Sequence, residues 1–253
     1  MARYQIILAY DGTGFLGSQR QASSRTAQSE LEKALRKLGW QGQTVYLAGR
    51  TDTGTHASGQ VAAFDLEWMH DLQKLQDALN AHLPRDMAVR EVKVAADNFH
   101  PRFDASSRCY RYRLFCASIR DPLRERYAWR VWPAVNDLAE LADIWPGRHD
   151  FAAFGSPPRS GGSTFRTVMT AGWQNHADEW IFEIRADAFL YRMVRRLVYT
   201  QVAVGQARLS AKTLVQALDD WTEVGQEARS QIPASLAPAS GLTLVEVRYD
   251  NLV

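Results

Sequence analysis

Residues 4–10, YQIILAY, alternate across a strand, and the turn Asp11-Gly12-Thr13-Gly14 ends it. Thr26 then stands as a helix N-cap, and Leu31, Ala34, Leu35 and Leu38 fall on one helical face that stops at Gly39. Strands are predicted at 44–48 (TVYLA), 60–66 (QVAAFDL) and 87–95 (MAVREVKVA), with a helix marked by Leu72, Leu75 and Leu79 before the last. The Pro-containing stretch 99–105, FHPRFDA, reads as a passage between domains. Beyond it, 106–115 (SSRCYRYRLF) puts Tyr110, Tyr112 and Leu114 on one face and Cys109, Arg111, Arg113 and Phe115 on the other. A helix near 136–145, a loop at 155–164, strands at 167–173 and 180–186, a helix over 188–205 and a closing strand at 242–249 complete the pattern.

Each half thus reads strand–helix–strand–strand–helix–strand. That order predicts an α+β protein of two similar halves, 1–104 and 105–253, with mainly antiparallel sheets flanked by helices. No short-period repeat or low-complexity tract interrupts it. No stretch reaches the roughly 20 apolar residues that cross a bilayer, and residues 1–12 lack a signal-peptide layout. Cys109 and Cys116, seven apart in one predicted strand region, would point to opposite faces, which disfavours a disulfide. A reducing, cytoplasmic setting is expected.

Composition adds little until the basic residues are divided by type. Of the 30, 25 are arginine, whose planar fork suits phosphate contact and base stacking. Between Arg102 and Arg130 eight arginines face three acids, with aromatic residues interleaved. A salt-bridged solvated face would also look like this, but the aromatics favour nucleic acid.

The candidate chemistry narrows by elimination. Gly12 to Gly17 matches G-x-G-x-x-G, yet QRQASSR separates it from the next helix and the sheets are not parallel. A turn is therefore preferred to a nucleotide-cofactor site, and an oxidoreductase using NAD or FAD is the weaker alternative. The six histidines are dispersed, with no metal spacing, so no metal is expected. No nucleophile elbow surrounds Ser18 or Ser58. What remains is AGRTDTGTHASGQV, which presents Asp52 alone between glycines, two residues after Arg50. A lone carboxylate can act as nucleophile or base, or it can simply accept hydrogen bonds from turn amides. The residues leave both open.

This segment resembles the catalytic motif of bacterial tRNA pseudouridine synthases of the TruA type. YDGTGFLGSQRQ, NFHPRFDASSRCYRYRL, ADAFLYRMVRRLV and SGLTLVEVRY are similar to four further blocks of that family, in its order, from residue 4 to 249. The resemblance implies an isomerase that converts uridine to pseudouridine at positions 38 to 40 of the tRNA anticodon stem-loop, as a homodimer and without cofactor. It places the nucleophilic or basic aspartate on Asp52, base displacement on Arg50, the residue against the uracil on Tyr110 and the arginine paired with the aspartate on Arg195. Gln19, Arg20, Arg102, Arg108, Arg111 and Arg113 are the expected RNA contacts.

Some positions depart from the family pattern. Ser18 stands where an aromatic residue is usual, Thr55 replaces a valine, and GGSTFR before Thr167 lacks a frequent arginine. A non-catalytic RNA-binding module on the same scaffold is the alternative, and the presence of Asp52 argues against it.

Overall fold

Tyr4, Ile6, Leu8 and Tyr10 form the buried side of β1 (Ala2–Tyr10), as their alternation requires. The computed structural model describes residues 1–157, 159–218 and 222–250 and divides into two compact units, Met1–Ser106 with Thr243–Val253, and Ser107–Leu242. Pro158, within the expected 155–164 loop, lies outside the described residues.

In the first unit α1 (Ala27–Lys37) begins at Thr26, whose side chain accepts from the Ser29 N–H while the Ser29 hydroxyl receives the Thr26 N–H. This reciprocal cap satisfies donors that the first turn leaves unpaired. Leu31, Ala34 and Leu35 are its buried stripe. The predicted strand at 44–48 is only the short β2 (Tyr46–Leu47), paired antiparallel with β3 (His56–Leu66). β3 begins at His56, four residues earlier than alternation suggested, because it is buried on both faces and its apolar run hides the period. After α2 (Leu72–His82), β4 (Met87–Val94) flanks β1 on the side opposite β3, with Ile6 facing Val92 and Ala62 respectively.

The second unit is built on β5 (Ser107–Cys116), with β6 (Trp129–Val131) parallel to it. The helix expected at 136–145 contracts to α3 (Leu138–Leu141) and one 3-10 turn. β7 (Gly147–Asp150), β8 (Phe165–His176) and β9 (Glu179–Ala186) follow, joined antiparallel in the order β7, β8, β9, β5. The long helix predicted over 188–205 starts late, as α4 (Met193–Gly205). Arg192 sits at φ 64°, outside helical space, and Tyr191 exchanges backbone hydrogen bonds with Ser156. The apolar residues 188–190 therefore pack without being helical. α5 (Ala211–Leu218) and α6 (Glu223–Gln231) were not anticipated.

The closing strand β10 (Leu242–Arg248) departs from the expected division at 104/105, because it returns to the first unit and pairs parallel with β3 through Thr243–His56 and Leu244–Ala57. Gly59 permits the approach: a Cβ there would stand 2.2 Å from the Val245 carbonyl oxygen. Cys109 and Cys116 are free thiols. Among the described residues no helix is long and apolar enough to cross a membrane.

Candidate active site

The Asp52 turn follows β2 and leads into β3, and its shape is imposed by the loop after β1. Asp11 caps that loop by accepting from the Thr13 N–H at 3.0 Å, and the Gly12 N–H donates to His56 Nδ1 at 2.9 Å. A Cβ on Gly12 would lie 2.1 Å from the Thr55 carbonyl oxygen, so only glycine fits. The glycine-rich sequence at 12–17 is thus explained by backbone packed against the Asp52 turn, with no need for a phosphate.

Several hydrogen bonds hold the turn itself. The Ser18 N–H donates to the Thr51 carbonyl at 3.1 Å, and the Thr51 N–H donates to Ser18 Oγ at 2.8 Å. Tyr10 Oη lies 2.9 Å from Thr51 Oγ1. The Gln60 amide donates to the Gly49 carbonyl at 2.8 Å and accepts the Gly49 N–H at 3.2 Å. On the far side the Thr55 N–H donates to the Asp52 carbonyl at 3.0 Å. Burial pushes the Tyr10 hydroxyl pKa up, against the lowering effect of its bonds to Thr51 and Gln60. Asp52 is half-buried and Arg50 exposed, on a turn whose backbone these bonds hold.

Of the other first-unit candidates, Gln19 is exposed. Arg20 binds Glu32 at 2.8 Å and the Gln43 carbonyl at 3.0 Å, which ties it to α1. Arg102 is exposed beside Phe103, its Cζ 5.8 Å from the ring centroid.

In the second unit Tyr110 is 8% exposed and meets Phe189 edge-on at 5.1 Å between ring centroids. Arg108 donates to the Asp187 carbonyl at 2.8 Å. Arg111 and Arg113 look outward from β5, as alternation predicts, but each meets an acid of β9. Arg111 Nε donates to Glu183 at 2.8 Å, and Arg113 holds both oxygens of Glu179, the Nη2–Oε2 arm at 2.9 Å. That pairing raises the Arg113 pKa further. Arg124 reaches Asp178, and Arg130 reaches Glu125 at 3.1 Å. The basic excess read between 102 and 130 is therefore partly neutralised by acids at 178–183, between 54 and 72 positions further on. Arg195, in α4, donates from Nε to the Ala237 carbonyl at 2.8 Å.

Within the first unit, then, the structure brings Asp52 together with Tyr10, Ser18, Thr51 and Gln60, four residues that pattern reading did not assign to the site. The departure at Ser18 was the available signal. Its partner, 33 positions away, was not visible in the sequence.

The tRNA pseudouridine synthase family matches the chain over residues 6–104 and 142–250. The chain is 39% identical over 259 residues to tRNA pseudouridine synthase A of Chloroflexus aurantiacus, covering 98% of this chain and 89% of the relative. It is 36% identical over 258 residues to the protein of that name from Limosilactobacillus fermentum, with 99% and 97% covered. With tRNA pseudouridine synthase A 1 of Bacillus cereus it shares 35% identity over 255 residues, with 99% and 100% covered. A match of this length leaves neither unit of the fold unaccounted for, and the chain belongs to the tRNA pseudouridine synthase family.

Proposed function

We propose that this protein isomerises uridine to pseudouridine in tRNA, with Asp52 as the acting carboxylate. The observation that carries the assignment is the placement of Asp52: a half-buried carboxylate on a turn whose neighbouring backbone is fixed by buried hydrogen bonds. A turn that needed only an acceptor for its amides would not need that support. The isomerisation breaks the N1–C1′ bond, forms a C5–C1′ bond, releases the hydrogen of C5 and leaves a proton on N1. It calls for a carboxylate to attack, or to take a proton, at a fixed position, and no redox change occurs. Arg50, Tyr110 and Arg195 take the roles implied by the family motifs: base displacement, contact with the uracil, and counter-charge to the aspartate.

A paired uridine must leave the stack before it reacts, which costs a few kcal/mol. Phosphate contacts by exposed arginines such as Arg102 offset that cost. The family resemblance also leads us to propose the anticodon stem-loop, positions 38 to 40, as target, a homodimer as the working form and the cytoplasm as the setting.

Tritium release from tRNA labelled at uridine C5 tests the assignment. Asp52→Asn preserves size and hydrogen-bonding oxygen, so it should fold and bind tRNA as wild type does yet release almost no tritium. Substantial release from the folded Asn variant would remove Asp52 from the chemistry and assign the reaction to another group, whereas wild-type protein that binds tRNA and releases no tritium would leave the RNA-binding reading in its place.

A further inference from the structure

Thr51, the residue before Asp52, is fixed at its backbone and at its side chain. A peptide unit is planar, so the plane containing the Thr51 carbonyl also contains the Asp52 nitrogen and Cα. The Ser18 N–H holds that carbonyl at 3.1 Å, and Ser18 Oγ takes the Thr51 N–H of the preceding plane at 2.8 Å. The plane on the other side of Asp52 is held by the Thr55 N–H on the Asp52 carbonyl at 3.0 Å. With both flanking planes held, the direction of the Asp52 Cα–Cβ bond is set. Tyr10 holds the Thr51 hydroxyl at 2.9 Å, and the Gln60 amide lies 3.4 Å from Tyr10 Oη.

This network is buried: Ser18 and Gln60 are 0% exposed, Tyr10 4% and Thr51 7%. Buried polar groups carry a desolvation cost that only full satisfaction offsets, and a satisfied network stiffens whatever it holds. Here it holds the residue next to a carboxylate that must meet one carbon of a bound nucleotide.

We propose that Tyr10 and Ser18 are positioning residues for Asp52, acting through Thr51. The inference rests on the reading of Asp52 as the acting carboxylate. Tyr10 and Ser18 are too deeply buried to present a polar atom to base or ribose. They fix the point and direction from which the carboxylate is projected, and a shift of about 1 Å in such a group can cost about a hundredfold in rate.

The test uses the full-length protein with single-turnover tritium release at saturating enzyme, filter binding to tRNA, and thermal melting. Tyr10→Phe and Ser18→Ala should each slow release by about 10- to 100-fold while tRNA affinity holds. Thr51→Val, which keeps shape and loses the hydroxyl, should match Tyr10→Phe, and Thr51→Ser should regain most of that loss. Adding Tyr10→Phe to Thr51→Val should cost far less than the sum of the two, since they share the Tyr10–Thr51 bond and only the longer contact of Tyr10 with Gln60 is lost in addition.

Wild-type release rates from folded Tyr10→Phe and Ser18→Ala, with only the melting temperature lowered, would show that the network merely supports the fold. Additive losses in the double variant would likewise remove Tyr10 from a path through Thr51. If Ser18→Ala does not fold, the Tyr10→Phe and Thr51 variants decide alone. Asp52→Asn run alongside separates the two readings. An active Asn variant ends both, whereas an inactive one beside fully active clamp variants ends only this inference.

Discussion

Arg195 and Ala237 exchange hydrogen bonds in both directions: Arg195 Nε donates to the Ala237 carbonyl at 2.8 Å, and the Ala237 N–H donates to the Arg195 carbonyl at 3.2 Å. The next carbonyl, that of Pro238, receives the hydroxyl of Tyr112 from β5 at 2.8 Å. Tyr112 is fully buried, and burial holds its hydroxyl protonated well past the usual tyrosine range. The segment at 237–238 is thus anchored on the sheet and fixes one edge of the Arg195 guanidinium.

Arg195→Lys keeps the charge and loses the Nε donor, because an ammonium cannot reproduce the planar fork. The expected cost is about 1 kcal/mol of stability, the net value of one such bond. Turnover should fall by at least about fivefold, the rate equivalent of that energy, with tRNA affinity less affected. Thermal melting and tritium release measure the two. A lysine variant with the wild-type rate would mean that charge alone matters at this position.

Arg102, which is exposed, and Arg113, which is bound to Glu179, predict different responses to salt. Arg102→Ala, at an exposed site, should lower the slope of log affinity against log salt by about 0.7 to 0.9, the value of one released phosphate contact. Arg113→Ala should change that slope much less, because its guanidinium is held by Glu179. Its main effect should instead be a modest loss of stability, since Glu179 would keep only the longer ion pair to Arg124 at 3.8 Å. Filter binding across a salt series checks this, and equal slope changes for both variants would return Arg113 to the RNA contacts.

Arg25 grips Asp86 with two bonds, of 2.8 and 2.7 Å, next to the loop at 11–17. Those bonds hold the Asp86 carboxyl below the ordinary carboxylate pKa. A depressed folded-state pKa gives stability that is complete above the unfolded value and is lost as pH falls through the folded one. Asp86→Asn should therefore cost up to about 1 kcal/mol near neutral pH, the range for a partly exposed pair. The gap to wild type should narrow below about pH 4 and close once the wild-type carboxyl is protonated. Urea midpoints at several pH values read this directly, and a gap independent of pH would assign the effect to packing.

Local spacing was enough for β1, α1 with its Thr26 cap, and the outward arginines of β5, since alternation and capping depend on residues a few positions apart. The motif at 48–61 made Asp52 a candidate without a structure, and its role as the acting carboxylate is our proposal. Spacing failed where backbone conformation overrode hydrophobic pattern, as at Arg192, whose left-handed φ delays α4 past an apolar stretch that reads as helix. It also failed where a partner is remote. The return of β10 to β3 depends on a glycine at 59 meeting a strand nearly 190 residues later. The charge of Arg113 is balanced by Glu179, and Thr51 is pinned by Ser18 and Tyr10. Sequence determines which face each residue presents, because that follows from the geometry of one strand or helix. Which residue it meets there depends on strand register and loop closure, and these exist only once distant backbone has paired.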